Sequence, residues 1–184
     1  MILPIYTYGL PVLRKQAEEV SSDFPELETL VQDMFDTLAK SEGVGLAAPQ
    51  IGKSLRLVVV DLDVLKEDEP QYEGFRRAYV NPEILQYGNE SDVYEEGCLS
   101  LPGITESVKR PTTILLRWQE LDGTEHEEWI DGFLARVLQH ETDHLEGRVF
   151  TDRLSPLRKQ LVKKKLNQLS RGNVSCRYKV KTPH

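Results

Sequence analysis

The chain has 184 residues, 39% hydrophobic and 29% charged, with 12 Gly and 10 Pro; a chain of this length buries about 70% of its unfolded surface, and the composition excludes collagen-like, low-complexity and disordered classes. A formal charge of −7 argues against a general nucleic-acid binder, so DNA is not an expected partner. The longest strongly apolar run, Leu57-Val58-Val59-Val60, is far short of the roughly 20 residues of a membrane helix, and two cysteines make no disulfide framework.

Met1-Ile2-Leu3-Pro4 lacks the basic start and long apolar stretch of an export signal, so a cytoplasmic protein with no membrane partner is expected. Residues 10–20 read as a short helix with Pro11 in its first turn, where the missing N–H costs nothing. Residues 24–42 follow with Leu27, Leu30, Val31, Met34, Phe35 and Leu38 at i, i+3, i+4, i+7 spacing, after Ser22 and Asp23 as candidate caps. Gly43-Val44-Gly45 ends this helix. Residues 55–61, 78–81, 84–87 and 92–96 then read as short strands, and the acidic stretch 63–73 with Pro70 reads as a solvated loop. Extended runs at 113–120 and 124–130 flank Leu121-Asp122-Gly123, a hairpin signal because the turn needs positive φ. Asp131 is a candidate cap for a helix over 133–146 that stops at Gly147. Residues 155–170 form another helix, stopping near Gly172, and 174–180 a last strand. Without repeats or linkers, one α+β domain over 1–184 is expected. Its charge is uneven: residues 1–150 carry 13 Lys+Arg against 29 Asp+Glu, whereas 151–184 carry 10 basic residues against Asp152 alone.

His140-Glu141-Thr142-Asp143-His144 lies inside the expected helix over 133–146. On a helix, i and i+4 share one face, so two imidazoles can grip one ion while the intervening Glu handles protons. Two exposed histidines and a solvated Glu is the alternative reading. Phe133 and Val137 lie seven and three residues before His140 on the same face, either as core or as an apolar pocket beside the ion. A tetrahedral ion with one position open needs a third protein ligand. Cys98, in Glu96-Gly97-Cys98-Leu99-Ser100, is a candidate thiolate donor; a small buried apolar residue is its other reading.

Three ordered segments, Gly43-Val44-Gly45-Leu46-Ala47-Ala48-Pro49-Gln50, Glu96-Gly97-Cys98-Leu99-Ser100 and Gln139-His140-Glu141-Thr142-Asp143-His144-Leu145, together resemble the signature motifs of peptide deformylases. The resemblance spans essentially the whole chain. It implies an α+β fold of antiparallel β-sheets packed around a central helix carrying the HExxH motif. It also implies hydrolysis of the N-formyl group from the initiator methionine of new polypeptides, releasing formate. On this resemblance Cys98, His140 and His144 bind a divalent metal, usually Fe(II) in the family; chemistry alone also admits Zn(II), Ni(II) or Co(II). Glu141 is then the acid/base, and the Gln50 side chain with the Leu99 backbone N–H stabilises the oxyanion. The same resemblance has Gly45 bind substrate backbone and Glu96 orient a ligand histidine, and Val44, Phe133 and Val137 are candidates for the pocket that holds the methionine side chain. The partners implied are N-formyl-methionyl nascent peptides. The basic C-terminal region, including Lys163-Lys164-Lys165, is a candidate ribosome contact. Its end departs from helix-tailed relatives, because Gly172-Asn173 interrupts the helix. A metallopeptidase cutting internal amides and a non-catalytic binding module are the competing readings; the first leaves the Cys98 segment unexplained, and the second leaves Glu141 and Gln50 without a use.

Overall fold

The computed structural model describes all 184 residues. In chain order the elements are β1 (Ile5–Tyr6), α1 (Leu27–Ser41), β2 (Gly45–Ala47), β3 (Leu57–Asp61), β4 (Arg76–Tyr87), β5 (Ser91–Gly97), β6 (Thr105–Pro111), β7 (Ile114–Gln119) and β8 (Glu125–Ile130). They continue with α2 (Gly132–Leu145), α3 (Pro156–Ser170) and β9 (Val180–Lys181), with short 3₁₀ turns between. Five strands form one antiparallel sheet in the order β2-β3-β4-β7-β8, β5 and β6 form a separate hairpin, and β1 pairs with β9 in parallel.

The apolar run of β3 has a simple cause: the strand is covered on both faces. Val58 and Val60 pack with Leu134, Ala135 and Leu138 of α2, whereas Leu57 and Val59 pack with Val31, Met34, Phe35 and Leu38 of α1. Side chains alternate along a strand, so the sheet separates two helices, each burying its stripe against one face. A third cluster, including Leu101, Ile104, Val108, Phe150 and Leu154, joins the β5–β6 hairpin to α3 through Val162 and Leu169. The helix carrying the HExxH motif is central: every residue of α2 from Leu134 to Leu145 is buried.

Several local expectations change. Residues 10–20 form only a 3₁₀ turn at Pro11–Arg14: although the buried Leu13, Ala17 and Val20 fall at i, i+4 and i+7, the chain turns extended at Lys15, ψ 147°, and Glu18 bridges Leu55, so tertiary pairing overrides the helical spacing. Ser22 and Asp23 do not cap α1; Glu26, at φ 57°, precedes it without a side-chain cap. The runs 78–81 and 84–87 belong to one strand, β4, with a register shift between Val80 and Glu83. There Asn81 adopts φ 51° and its amide bonds both the N–H and the carbonyl of Val20. β6 was not expected at all. Asp131 makes no side-chain cap to α2. Instead the acidic loop supplies one: Tyr72 is buried, and its hydroxyl accepts from the Leu134 N–H at 3.1 Å. At the other end only Val180–Lys181 is strand; residues 174–179 cross the molecule without sheet pairing.

Candidate metal centre

α2 places His140 and His144 one turn apart on the face turned toward the β5 end, and Cys98 follows directly after β5. Their ligand atoms all lie within 4.8 Å of one another. Cys98 Sγ is 3.4 Å from His144 Nε2, a spacing close to the roughly 3.5 Å that separates two ligands of one tetrahedral zinc-sized ion. The donor set, one thiol and two imidazoles with a buried carboxylate alongside, suits a borderline transition metal. Glu141 adds a second sign of fit: its carboxyl is buried, Oε1 is 4.0 Å from His140 Nε2, and Oε2 has no hydrogen-bond partner in the protein. A buried acceptor left open is costly unless a ligand satisfies it.

The charges behind the site decide which imidazole atoms face an ion. Glu96 accepts from His140 Nδ1 at 2.8 Å, from Arg110 Nε at 2.7 Å and from Arg136 Nη1 at 2.7 Å. Burial alone would raise its pKa, but the bonds from His140 and Arg110 and the Arg110 charge hold the carboxyl well below the usual range. An ionised Glu96 fixes the Nδ1–H tautomer of His140 and leaves Nε2 free toward Cys98. Burial also favours neutral His140, yet Cys98 and Glu96 outweigh it and hold its pKa well above the ordinary value. A cation can replace that proton. His144 behaves oppositely: burial, with the His140 charge nearby, lowers its pKa to about 3, so it is a neutral donor at pH 7. Asp143 faces away from the ligand atoms, accepting from Arg110 at 2.9 Å and from Arg153 at 2.7 and 2.6 Å.

Gln50 sits in a 3₁₀ turn after β2. Its Oε1 accepts from the Ala47 N–H at 2.9 Å, which orients the amide and directs Nε2 to Ser100 Oγ at 3.1 Å and Cys98 Sγ at 3.4 Å. The Leu99 N–H donates to no protein acceptor, although the neighbouring Leu101 N–H and Tyr8 N–H are bonded to Cys98 and Ser100 carbonyls. A cleft of about 630 Å³ opens here; Val44, Gly45, Gln50, Glu96, Cys98, Leu99, Phe133, Val137, His140 and Glu141 all line it. His144 lies behind them, fully buried. Gly45 is needed for space: a Cβ there would come within 2.9 Å of Val137 Cγ1 and 3.0 Å of Glu141 Oε1.

The candidate catalytic, substrate-binding and ligand residues singled out in the sequence thus come to one place, whereas Lys163, Lys164 and Lys165 lie apart on α3. Arg110, Arg136, Ser100 and the C-terminal Tyr178 were missed. Arg136 carried a signal: it is a lone arginine within the apolar first half of α2, Phe133 to Leu138, where a buried guanidinium needs charged partners.

This arrangement, a triad able to hold an ion with a buried carboxylate and an oriented amide donor in a cleft, is that of a metallohydrolase. Residues 2–160 match the family model of polypeptide deformylase. The chain is 41% identical to the peptide deformylase of Christiangramia forsetii, covering all of this chain and 97% of that one, and 43% identical to that of Chlorobaculum tepidum, covering 97% and 93%. A crystal structure of peptide deformylase from Plasmodium falciparum superposes with a TM-score of 0.82 at 36% identity, over 91% of this chain and 95% of that one. The chain belongs to the polypeptide deformylase family. Like the family, it is an enzyme that removes the N-formyl group from newly made polypeptides.

Proposed function

We propose that Cys98, His140 and His144 hold the metal and that Glu141, Gln50 and Leu99 carry the reaction, within one catalytic unit formed by residues 1–184. When bound, a divalent cation supplies Lewis acidity, lowering the pKa of a coordinated water and polarising the formyl carbonyl. Glu141 takes a proton from the attacking water as the O–C bond forms. Burial raises the pKa of this carboxyl to about 7, a value at which it can accept and return a proton near neutrality, and an adjacent cation favours its ionised form. Negative charge then develops on the formyl oxygen, where Gln50 Nε2 and the Leu99 N–H donate. Glu141 returns its proton to the departing nitrogen, the C–N bond breaks, and formate and a free α-amine leave.

Gly45 brings its backbone beside the peptide, and Val44, Phe133 and Val137 surround an apolar side chain, fitting methionine. Glu96 is a positioning residue that acts through His140. Fe(II) is the proposed resident ion, with Zn(II), Ni(II) or Co(II) as substitutes that the same donors accept. The cytoplasm, where formylated chains emerge, is the proposed compartment, and ribosome contact through the basic residues of 151–184 is the proposed route to substrate. α3 supports that contact by exposing Lys163, Lys164 and Lys165. No helix is long and apolar enough to cross a membrane.

The observation that carries this reading is the buried, unpartnered Glu141 Oε2 beside three convergent ligand atoms. The test is to incubate the metal-loaded protein with a formyl-methionyl peptide and assay both formate and internal cleavage. One formate per peptide with the internal bonds intact is expected. Internal cleavage would point to a metallopeptidase, and tight binding without formate to a binding module.

A further inference from the structure

Beyond α3 the chain turns at Gly172, φ 81°, and returns across the active-site cleft. Ser175, Cys176, Arg177 and Tyr178 line that cleft. The strap is fastened downstream, where β9 pairs with β1: the Ile5 N–H donates to the Lys179 carbonyl at 2.9 Å and the Thr7 N–H to the Lys181 carbonyl at 3.0 Å. Its one hydrogen bond to the catalytic loop is specific. The Tyr178 hydroxyl donates to the Leu99 carbonyl at 2.7 Å, and its ring packs in the same apolar cluster as the Leu99 side chain.

Leu99 is the residue whose N–H is left unbonded for the developing oxyanion, and no other side chain bonds its carbonyl. A donor contributes to catalysis only if it is held in place before charge develops. The peptide unit that carries the Leu99 N–H is held at its other end, where the Cys98 carbonyl accepts from the Leu101 N–H; the next unit, which sets the backbone on the far side of Leu99, has its carbonyl bonded by Tyr178 alone. We propose that Tyr178 is a positioning residue for deformylation: the C-terminal strap uses its hydroxyl to fix Leu99, and so holds the Leu99 N–H at the formyl oxygen. This rests on the reading of Leu99 as an oxyanion donor.

The test is Tyr178→Phe, which keeps the ring and removes the hydroxyl, studied with zinc-loaded protein. The expected result is a kcat lowered about tenfold, a fraction of the loss from deleting an oxyanion donor, with KM within about twofold of the parent. Bound zinc should match the parent, and the melting temperature should fall by no more than the roughly 2–4 °C that one lost hydrogen bond costs. The ¹⁵N order parameter of the Leu99 amide should fall, a change that a merely structural tyrosine would not confine to that site. Tyr178→Ala, which also removes the packed ring, should lower the melting temperature as well as kcat. An unchanged Leu99 order parameter in Tyr178→Phe overturns the proposal while leaving Leu99 as a donor. A loosened Leu99 with unchanged kcat overturns both. A kcat loss that merely tracks lost zinc also overturns the positioning role.

Discussion

Gln50 shows how little latitude the site leaves a side chain. Its carbonyl oxygen is committed to the Ala47 N–H, so only its NH₂ can face Cys98 and Ser100. Gln50→Glu keeps the shape and the acceptor but removes the donor. It is expected to lower kcat by about 10² to 10³ while metal content, read by elemental analysis, stays at one ion per chain; a variant as active as the parent would exclude Gln50 from the oxyanion site. At this scale the candidate ligands were legible because the His140/His144 spacing is local and carries its own chemistry. The residues packed and bonded behind them were not. Arg110 stands on an unexpected strand, and its partners Glu96 and Asp143 are 14 and 33 positions away. Nothing in the sequence around Arg110 says that it is buried. Tyr178 escaped for the same reason, its partner being 79 residues distant.

Elements set the site through two contacts that a single atom can test. The first is the start of α2, capped by the hydroxyl of Tyr72 rather than by Asp131. Tyr72→Phe leaves the buried Leu134 N–H without its acceptor and should cost about 1 kcal/mol, lowering the melting temperature by roughly 2–4 °C with little change in kcat. The second is the approach of β2 to α2 at Gly45. Gly45→Ala puts a methyl group against Val137 and Glu141, and a displacement of the proposed acid/base by a fraction of an ångström is expected to lower kcat by about ten- to a hundredfold; an unperturbed kcat would show that the two elements can separate freely. Long amphipathic periodicity made α1 and α2 readable to within a few residues, and Asp-Gly made the β7–β8 hairpin readable. β6 was not, because Thr105–Pro111 alternates weakly and owes its strand form to pairing with β5 and to burial of Val108 and Arg110. The strap at 174–179 follows the surface it lies on, and residues 15–20 do the same against the helical spacing of Leu13, Ala17 and Val20.

On the scale of the whole molecule, the buried charges make stability depend on pH in a way the metal should alter. Glu96 and Asp143 have lowered pKa values, so the stability they contribute is present above their unfolded values of 4.5 and 3.8 and is lost as pH falls through the folded ones. His140 and Glu141 have raised pKa values, so theirs is present below 6.5 and 4.5 respectively and is lost as pH rises through the folded values. Between these limits, the loss from His144 on acidification partly offsets the gain from Glu141. Metal-stripped protein should therefore show a urea midpoint that falls on both the acid and the alkaline side, and added zinc should flatten the alkaline limb, because a cation replaces the His140 proton and neutralises the cost of ionised Glu141. An alkaline limb indifferent to zinc would separate the ligand set from these charges. The α+β class and the order of the motifs were readable because they depend on composition and spacing; the packing of two helices on opposite faces of one sheet was readable only in part, through the doubly covered run Leu57-Val58-Val59-Val60. The most direct test of the metal-assisted, Glu141-driven reaction is formate release from a formyl-methionyl peptide by Glu141→Gln beside the parent, with metal content measured in both. A variant that retains its ion and loses at least about 10²-fold in kcat is the expected result; a metal-loaded Glu141→Gln that releases formate at the parent's rate would contradict it.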